Sequence, residues 1–504
     1  MYILGIAILR NLHPYSRKQA MLWLARILLL SFLIAIAVTT LLTGFFGETL
    51  VVLQLLCLGF IWFTGIRALV LWARSRRNRT PAVCPTPELR VALLYCTADD
   101  LNPEKLSTSA AQNVPVDIYI LDDSAGYESR RDVDTVAARI GAQVIRRDHR
   151  TDAKAGNLNN ALAQIDSRTD AVVILDNDTE IPHDFVSRTT AVLTSDPRIG
   201  CVQAAPIDEG ASWFAKFFGP LVDTHARINH ATRARIGFAL FGGRGALVSL
   251  PALREVGGFP TAVAEDLALS VRLRAAGWQI VHRPDIEFRE EFPIDYAAFR
   301  VQQGKAAEGA AEFLLGNHAR TLSRRERWDV VLETSLLPVG ALVGLIALAV
   351  GSTLAIWGKP TPIAFMVITS VLALAPLLPE AVRRLRQGEP VSAALFLVLA
   401  PMLYASVSLA VVRHTARILR GNRARFIITP RTGSRLTLGE AVSALSIEYT
   451  WAVTAVMVTA VLGMPLLSIP FTLPALVATA MLLLGTRDPL TLVRRPARAV
   501  TVNA

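Results

Sequence analysis

Acidic pairs in this sequence stand where chemistry could be done. Asp122-Asp123 follows the apolar run Val116–Leu121, Asp176-Asn-Asp178 follows Ala171–Leu175, and Glu265-Asp266 opens the helical run Leu267–Ala276, which Gly277 ends. An Asp-x-Asp at a strand end presents carboxylate oxygens to a hard cation, and Mg²⁺ favours one or two carboxylates completed by substrate phosphates. Between these pairs lies Lys154-Ala-Gly-Asn-Leu-Asn159. Its lysine can meet a phosphate as a point charge, and its glycine lets the backbone approach a ligand. Each element alone has a plainer reading. Aspartates at strand ends serve turns, acids at a helix start complement its dipole, and a single lysine is usually solvated. Only the combination, in this order, points to a site.

The elements that must position these groups read as α/β. Val91–Cys96, Val116–Leu121, Gln143–Arg146, Ala171–Leu175 and Cys201–Ala204 are short runs rich in Val and Ile, with helical patterns such as Asn157–Ile165 and Asp184–Thr194 between them. Buried parallel strands with crossover helices give this pattern. In such sheets ligands bind beyond the carboxyl ends of the strands, where the acidic pairs fall.

The rest of the chain is far more apolar. Of 504 residues, 52% are hydrophobic and 18% charged, with 52 Lys+Arg against 41 Asp+Glu. This composition excludes a disordered chain and argues against an ordinary soluble enzyme. Cys57, Cys84, Cys96 and Cys201 form no CxxC pair and no metal-ligand spacing, which argues against a disulfide scaffold or a zinc module. The positive balance suits loops at an anionic membrane face better than nucleic acid. Residues 21–44 and 49–72 each exceed the roughly 20 residues that cross a bilayer as a helix. Apolar runs return near 331–357, 362–380, 391–412, 449–469 and 471–485. No basic n-region precedes the first apolar residues, so no removable signal peptide is expected.

The placement of Lys and Arg sets the expected topology. Residues 10–18 and Arg74–Arg79 are basic and Gly44–Glu48 has neither Lys nor Arg. Both termini and the region between the two apolar blocks are therefore expected in the cytoplasm. Arg413–Arg435 and the tail Arg487–Arg498 are also basic. Both stay inside only if 391–412 does not cross. Pro390 and Pro401 are read as interrupting this run, so 391–420 is expected to be re-entrant or interfacial, leaving six spans; a seventh full span is the alternative. The expected organisation is a membrane region 1–75, a catalytic domain 88–290, amphipathic helices 291–330, a second membrane region 331–486 and a tail 487–504.

The residues resemble the membrane-embedded family 2 glycosyltransferases, the group of cellulose, hyaluronan and chitin synthases. The resemblance runs from about 88 to 440. It rests on Asp122-Asp123, the 154–159 string, Asp176-Asn-Asp178, Phe241-Gly-Gly243, Glu265-Asp266 and Phe426-Ile-Ile-Thr-Pro-Arg431. The 154–159 and 426–431 strings point to the cellulose synthase branch. The resemblance implies a GT-A fold on the cytoplasmic face of a transmembrane channel. It places Asp123, with Asp122 beside it, at the uracil or ribose, Lys154 by the diphosphate, and Asp176 and Asp178 on Mg²⁺ or Mn²⁺. Asp266 becomes the general base with Glu265 beside it, and Thr97 and Asp100 fall where the first nucleotide contacts lie. Phe426, Thr429, Pro430 and Arg431 resemble the gating loop, which follows an interfacial helix.

One motif departs. Where the family has Gln-x-x-Arg-Trp, this chain has Gln302-Gln-Gly-Lys305-Ala306, and Ala264 replaces the Thr before Glu-Asp. Lys305 keeps the charge without the fork, and Ala306 removes the aromatic platform for the acceptor sugar. The implied function is an inverting, metal-dependent transferase that elongates and exports a β-glycan, with UDP-glucose as donor. Its partners would be the nucleotide sugar, the growing glycan, the cytoplasmic-membrane bilayer and a periplasmic or cell-envelope export partner, with no nucleic acid. Two alternatives stay open: a non-processive transferase acting on a lipid or oligosaccharide, and a catalytically silent export or assembly subunit. With only a short tail after the last apolar run, no cyclic-dinucleotide domain is expected.

Overall fold

The computed structural model describes residues 47–75, 89–316, 318–424, 430, 433 and 436–487. The expected first span at 21–44, and Phe426, Thr429 and Arg431 of the gating string, lie outside the described residues.

The soluble middle of the chain is built on a seven-stranded sheet of order β3-β2-β1-β4-β6-β5-β7. The strands are β1 (Val91–Thr97), β2 (Val116–Asp122), β3 (Gln143–Ile145), β4 (Ala171–Asp176), β5 (Ile199–Asp208), β6 (Ala246–Ser249) and β7 (Gln279–Glu290). β1 pairs in parallel with β2 and β4, β2 with β3, and β5 with β7. β6 is antiparallel to both neighbours, β4 and β5. The five expected strands, β1 to β5, all run in one direction, and β6, which the sequence did not mark, makes the sheet mixed. The four residues of β6 are too few to display a period, and β7 carries His282, Arg283, Pro284 and Asp285, which mask it as a strand.

Burial alternates along the central strands, as the pleat requires. Ala92 and Leu94 face one layer with Leu158 and Ala161 of helix Ala153–Leu162 and with Leu269 and Leu273 of helix Glu265–Ala275. Val91, Leu93 and Tyr95 face the other, with Val133 and Val136 of helix Tyr127–Ile140 and Phe185 of helix Phe185–Leu193. The result is a three-layer α/β/α sandwich whose strand ends β1, β2 and β4 open together on one rim.

The described residues divide into two compact units, those within 60–345 and 367–504 and those within 1–59 and 346–366. Within the smaller unit Lys359 pairs with Glu48 at 3.0 Å. Five helices among the described residues are long and apolar enough to cross a membrane: Gly47–Ser75, Arg324–Ile356, Ile363–Arg386, Pro390–Leu419 and Pro465–Leu484. The sharply bent pair Leu438–Ala444 and Ser446–Val461 would make a sixth. The expected interruption at Pro390 and Pro401 is not found: one helix runs over 390–419. Pro390 occupies the first helical turn, where its missing N–H is not needed. Pro401 forgoes one internal bond in a long apolar helix, which neighbouring packing tolerates.

Helix Tyr296–Leu315 lies against helix Pro390–Leu419. Tyr296 Oη meets Ser406 Oγ at 2.8 Å. Glu308, buried, receives His414 Nδ1 at 2.7 Å and Arg417 Nε at 2.9 Å. Arg300 pairs with Glu448 at 2.7 Å. These polar contacts fix the rotation of the 296–315 helix among apolar neighbours, where packing alone is less directional.

Candidate active site

A cavity of about 690 Å³ opens on the carboxyl rim of the sheet and is lined by Thr97, Asp100, Asp123, Lys154, Asp176, Asp178, Glu265, Asp266, Gln302, Lys305 and Pro430. These expected site residues come from strand ends, two helix starts, the 296–315 helix and, with Pro430, the stretch that precedes helix Leu438–Ala444. Asp122 does not line it. Its carboxylate is buried, accepting from Arg146 Nε at 2.7 Å and Ser124 N at 2.8 Å, so it holds the β2 turn.

Asp123 is gripped bidentately by Arg147, Nε to Oδ1 at 2.8 Å and Nη2 to Oδ2 at 2.6 Å. Arg147 also donates to the Ala153 carbonyl at 2.8 Å. The Asp-Asn-Asp turn at β4 sends its side chains in alternating directions. Asn177 is buried and donates to the Asp100 carbonyl, while Tyr95 Oη donates to the Asn177 carbonyl at 2.7 Å. Asp176 and Asp178 are thereby turned to the cavity. Lys105 Nζ holds the Asp178 carbonyl at 3.0 Å and Glu291 at 2.8 Å.

The 154–159 string is explained residue by residue. Lys154 Nζ reaches Asp176 Oδ1 at 2.6 Å and the Gly243 carbonyl at 2.8 Å. A Cβ on Gly156 would collide with the Thr151 carbonyl and the Arg147 guanidinium, so glycine permits this close passage. Asn157 donates to the Leu121 carbonyl at the end of β2 at 3.1 Å. Asn159 brackets Phe259, accepting from its N–H and donating to its carbonyl at 2.8 Å each. Gly243 adopts φ +80°, which L side chains rarely do, and lies against Asp266.

Glu265 and Asp266 begin the 265–275 helix, and Asp266 Oδ1 accepts from Leu267 N at 2.7 Å. Burial pushes the Glu265 carboxyl up to about 7, with Asp266 adding to the shift and Lys154 opposing it. Asp266 is also raised, by burial first; the Leu267 N–H, Lys154, Arg244 and Lys305 pull it back. Burial would lower the Lys154 ammonium, but Asp176 and its other neighbours outweigh it and hold its pKa above the usual value. Lys305 goes the other way: burial lowers it, against the pull of Glu265. Asp266, beside Lys154, Arg244 and Lys305 and next to Glu265, is placed as a carboxylate that could accept a proton from a hydroxyl.

Among the described residues no group of three or more His, Cys, Asp or Glu side chains is placed to hold a metal ion. Asp176 and Asp178 offer hard carboxylate oxygens at one turn, so they fit a divalent cation whose remaining ligands come from substrate phosphates and water.

Several lining residues escaped sequence reasoning. Arg147 and Arg244 were invisible as partners, although Arg244 directly follows Phe241-Gly-Gly243. His230, Arg233 and Glu333 also line the cavity, and no motif announced them. Arg233 pairs with Asp329 at 3.0 Å and Glu333 with Arg67 at 2.7 Å. His230 belongs to a one-turn π-helix, Ala226–His230, and is held below the usual imidazole range by burial, then by His225 and Arg233.

Residues 171–407 match glycosyl transferase family group 2. Probable glucomannan 4-beta-mannosyltransferase 1 of Arabidopsis thaliana is 28% identical over 204 residues, 38% of this chain and 37% of its own length. Glucomannan 4-beta-mannosyltransferase 2 of the same plant is 28% identical over 225 residues, 41% of this chain and 42% of its own length. The matches thus span less than half the length of these curated relatives. Among solved structures, mannosyltransferase PcManGT from Pyrobaculum calidifontis, in complex with GDP-Man and Mn²⁺, superposes with a TM-score of 0.53 at 18% identity. That likeness covers 74% of this chain and 100% of that one, and it is a likeness of fold.

Proposed function

We propose that this chain, which carries a family 2 glycosyltransferase domain on a GT-A fold, is an inverting transferase that adds hexosyl units from a nucleoside diphosphate sugar to a β-linked glycan at a membrane. The observation that carries the reading is the convergence of Asp123, Lys154, Asp176 and Asp178 on one cavity with Asp266. Asp123 and Arg147 are assigned to the nucleoside, Lys154 to the diphosphate, and Asp266 to the acceptor hydroxyl. Asp266 takes the acceptor's proton as its oxygen attacks the anomeric carbon. Attack opposite the leaving group inverts the anomer, so an α-linked donor gives a β-linkage. Mg²⁺ or Mn²⁺ held by Asp176 and Asp178 would supply Lewis-acid stabilisation to the leaving diphosphate.

The relatives named as glucomannan mannosyltransferases move the proposed sugar from glucose towards mannose. Purified protein supplied with GDP-mannose and UDP-glucose in parallel, with a manno- or gluco-oligosaccharide acceptor, tests this through nucleotide release and product linkage. Activity with neither donor refutes the donor assignment. A second reading, in which only one or a few sugars are added, is favoured by Ala306 lining the cavity where the resemblance has Trp. Product length distinguishes the two. The retained carboxylates and lysine oppose a silent subunit.

The catalytic domain is proposed to lie on the cytoplasmic face, with helix 390–419 at the interface instead of across the membrane. Support comes from contacts at both ends of that helix. Phe396 packs on Phe217, ring centroids 6.2 Å apart, and Arg417 pairs with Glu308. Phe217 and Glu308 belong to helices 213–218 and 296–315; the first follows β5 closely in sequence and the second lends Gln302 and Lys305 to the cavity. A helix anchored to one domain along its length is difficult to reconcile with opposite ends on opposite sides.

A further inference from the structure

We propose that Arg244 is a catalytic residue that grips the diphosphate of the sugar donor and stabilises it as it leaves. The inference rests on the reading of this cavity as a nucleoside diphosphate sugar site.

The resemblance expects an arginine at 305, where this chain has lysine. Arg147, Arg150, Arg233 and Arg244 are the arginines that line the cavity among the described residues. Arg147 is committed to Asp123 and two backbone carbonyls, and Arg233 to Asp329 and Glu333. Arg244 is held differently. Its Nε donates to the buried Glu290, and its Nη1 reaches the Gly242 carbonyl at 3.3 Å. Its Nη2 makes no hydrogen bond among the described residues, and the side chain keeps 34% exposure within the cavity lining. Nε and Nη1 are thus braced, while Nη2 is held by no other side chain or carbonyl among the described residues.

The loop that carries Arg244 is fixed beside the Asp-x-Asp turn. It leads into β6, whose Ala246 is in register with Ile174 of β4, two residues before Asp176. Gly245 N donates to the Ile174 carbonyl at 2.9 Å. Gln203, buried on β5, closes the loop with its amide. Its Oε1 accepts from Gly242 N at 2.8 Å, and its Nε2 donates to the Arg244 carbonyl at 3.0 Å and the Gly245 carbonyl at 3.2 Å. Glu290, then Asp176 and Asp178 strengthen the cationic form of Arg244 against burial. The guanidinium therefore lies within electrostatic reach of Asp176 and Asp178, on the loop that the β4–β6 register sets beside them.

The chemistry requires cations there. As the acceptor oxygen bonds to the anomeric carbon, its proton passes to Asp266. The bond from the anomeric carbon to the diphosphate oxygen breaks, and its electron pair stays on the diphosphate. A planar guanidinium matches two phosphate oxygens in a way an ammonium does not. A donor already braced by Glu290 and Gln203 needs no reorganisation when that charge develops. Gln203 acts as a positioning residue, through the loop.

The test titrates UDP, GDP, UMP and GMP into the purified full-length protein, wild type and Arg244→Gln, Arg244→Lys and Glu290→Gln. In Arg244→Gln, affinity for the diphosphate that binds best is expected to fall on the order of 10- to 100-fold. The matching monophosphate should stay within about 2-fold, since it lacks the β-phosphate contact. Turnover should fall roughly 100-fold or more. Arg244→Lys should recover part of the diphosphate affinity, and Glu290→Gln should show a smaller loss. Unchanged diphosphate affinity with wild-type turnover would overturn the proposal. So would an equal loss of di- and monophosphate affinity with a lowered thermal midpoint, which would mark Arg244 as a brace for Glu290. A wild-type protein that binds no nucleoside diphosphate would refute the nucleotide-sugar reading itself, a separate outcome.

Discussion

Asp266→Asn isolates the proton transfer from everything else in the site. Asn keeps the size of the side chain, and its Oδ1 can still accept the Leu267 N–H that Asp266 holds at 2.7 Å. It cannot take a proton from a hydroxyl. Loss of a general base costs about 10²–10⁴-fold in rate, or roughly 2.7–5.5 kcal/mol on the barrier. Donor affinity should not fall, because the substitution removes a negative charge close to where an anionic diphosphate would bind, and Lys154, Arg244 and Lys305 remain. Donor titration without acceptor, followed by single-turnover nucleotide release with acceptor, reads the two effects separately. Turnover within about threefold of wild type would make another group the base, with Glu265 the next to test. A tenfold or larger loss of donor affinity would show that Asp266 shapes the nucleotide site, and the mechanistic assignment would fail.

Further expectations follow the same geometry. Asp176→Ala or Asp178→Ala should abolish metal-dependent nucleotide release, and unchanged activity and metal response in both would remove these residues from the metal site. The acid limb of the activity profile should lie above the ordinary carboxylate range, because burial raises both Glu265 and Asp266 and an acid with a raised pKa ionises only at higher pH. The same shift governs stability: the folded state holds a proton that the unfolded chain releases, so the contribution is intact below the ordinary value of 4.5 and lost as pH rises through about 7. Thermal melts of Glu265→Gln across that window should show a shallower decline than wild type, and parallel curves would contradict the assignment. Glu308→Ala leaves Arg417 and His414 facing a buried gap and should destabilise by about 3–5 kcal/mol; a melting point like wild type would mean that the 296–315 helix is oriented by packing alone. A cysteine placed at Asn422 should resist impermeant reagents outside intact cells, and ready labelling there would put helix 390–419 across the membrane.

The chemistry of this protein was legible because it sits where local pattern changes. β1 and β4 are buried on both faces and each reads as an unbroken apolar run, and β2 does so past Asp117. The polar residues that end such runs are conspicuous, which is how Asp123, Asp176 and Asp178 came forward. Glu265-Asp266 was visible for a related reason, since a helix start favours acidic residues whatever their task. The long apolar helices announced themselves by length. The partners of these groups were not legible. Asp122 and Asp123 are neighbours in sequence, yet the pleat turns one to Arg146 inside the turn and the other to Arg147 in the cavity. β6 is four residues long and antiparallel, so no period marked it, and with it went the position of Arg244 beside Asp176. Pro401 looked like a break, but the helix around it has enough internal bonds to continue. Periodicity is set by each residue's own burial and survives in the linear sequence. Which charge meets which depends on distances between segments as remote as Arg67 and Glu333, and only the folded sheet and its packed helices establish those.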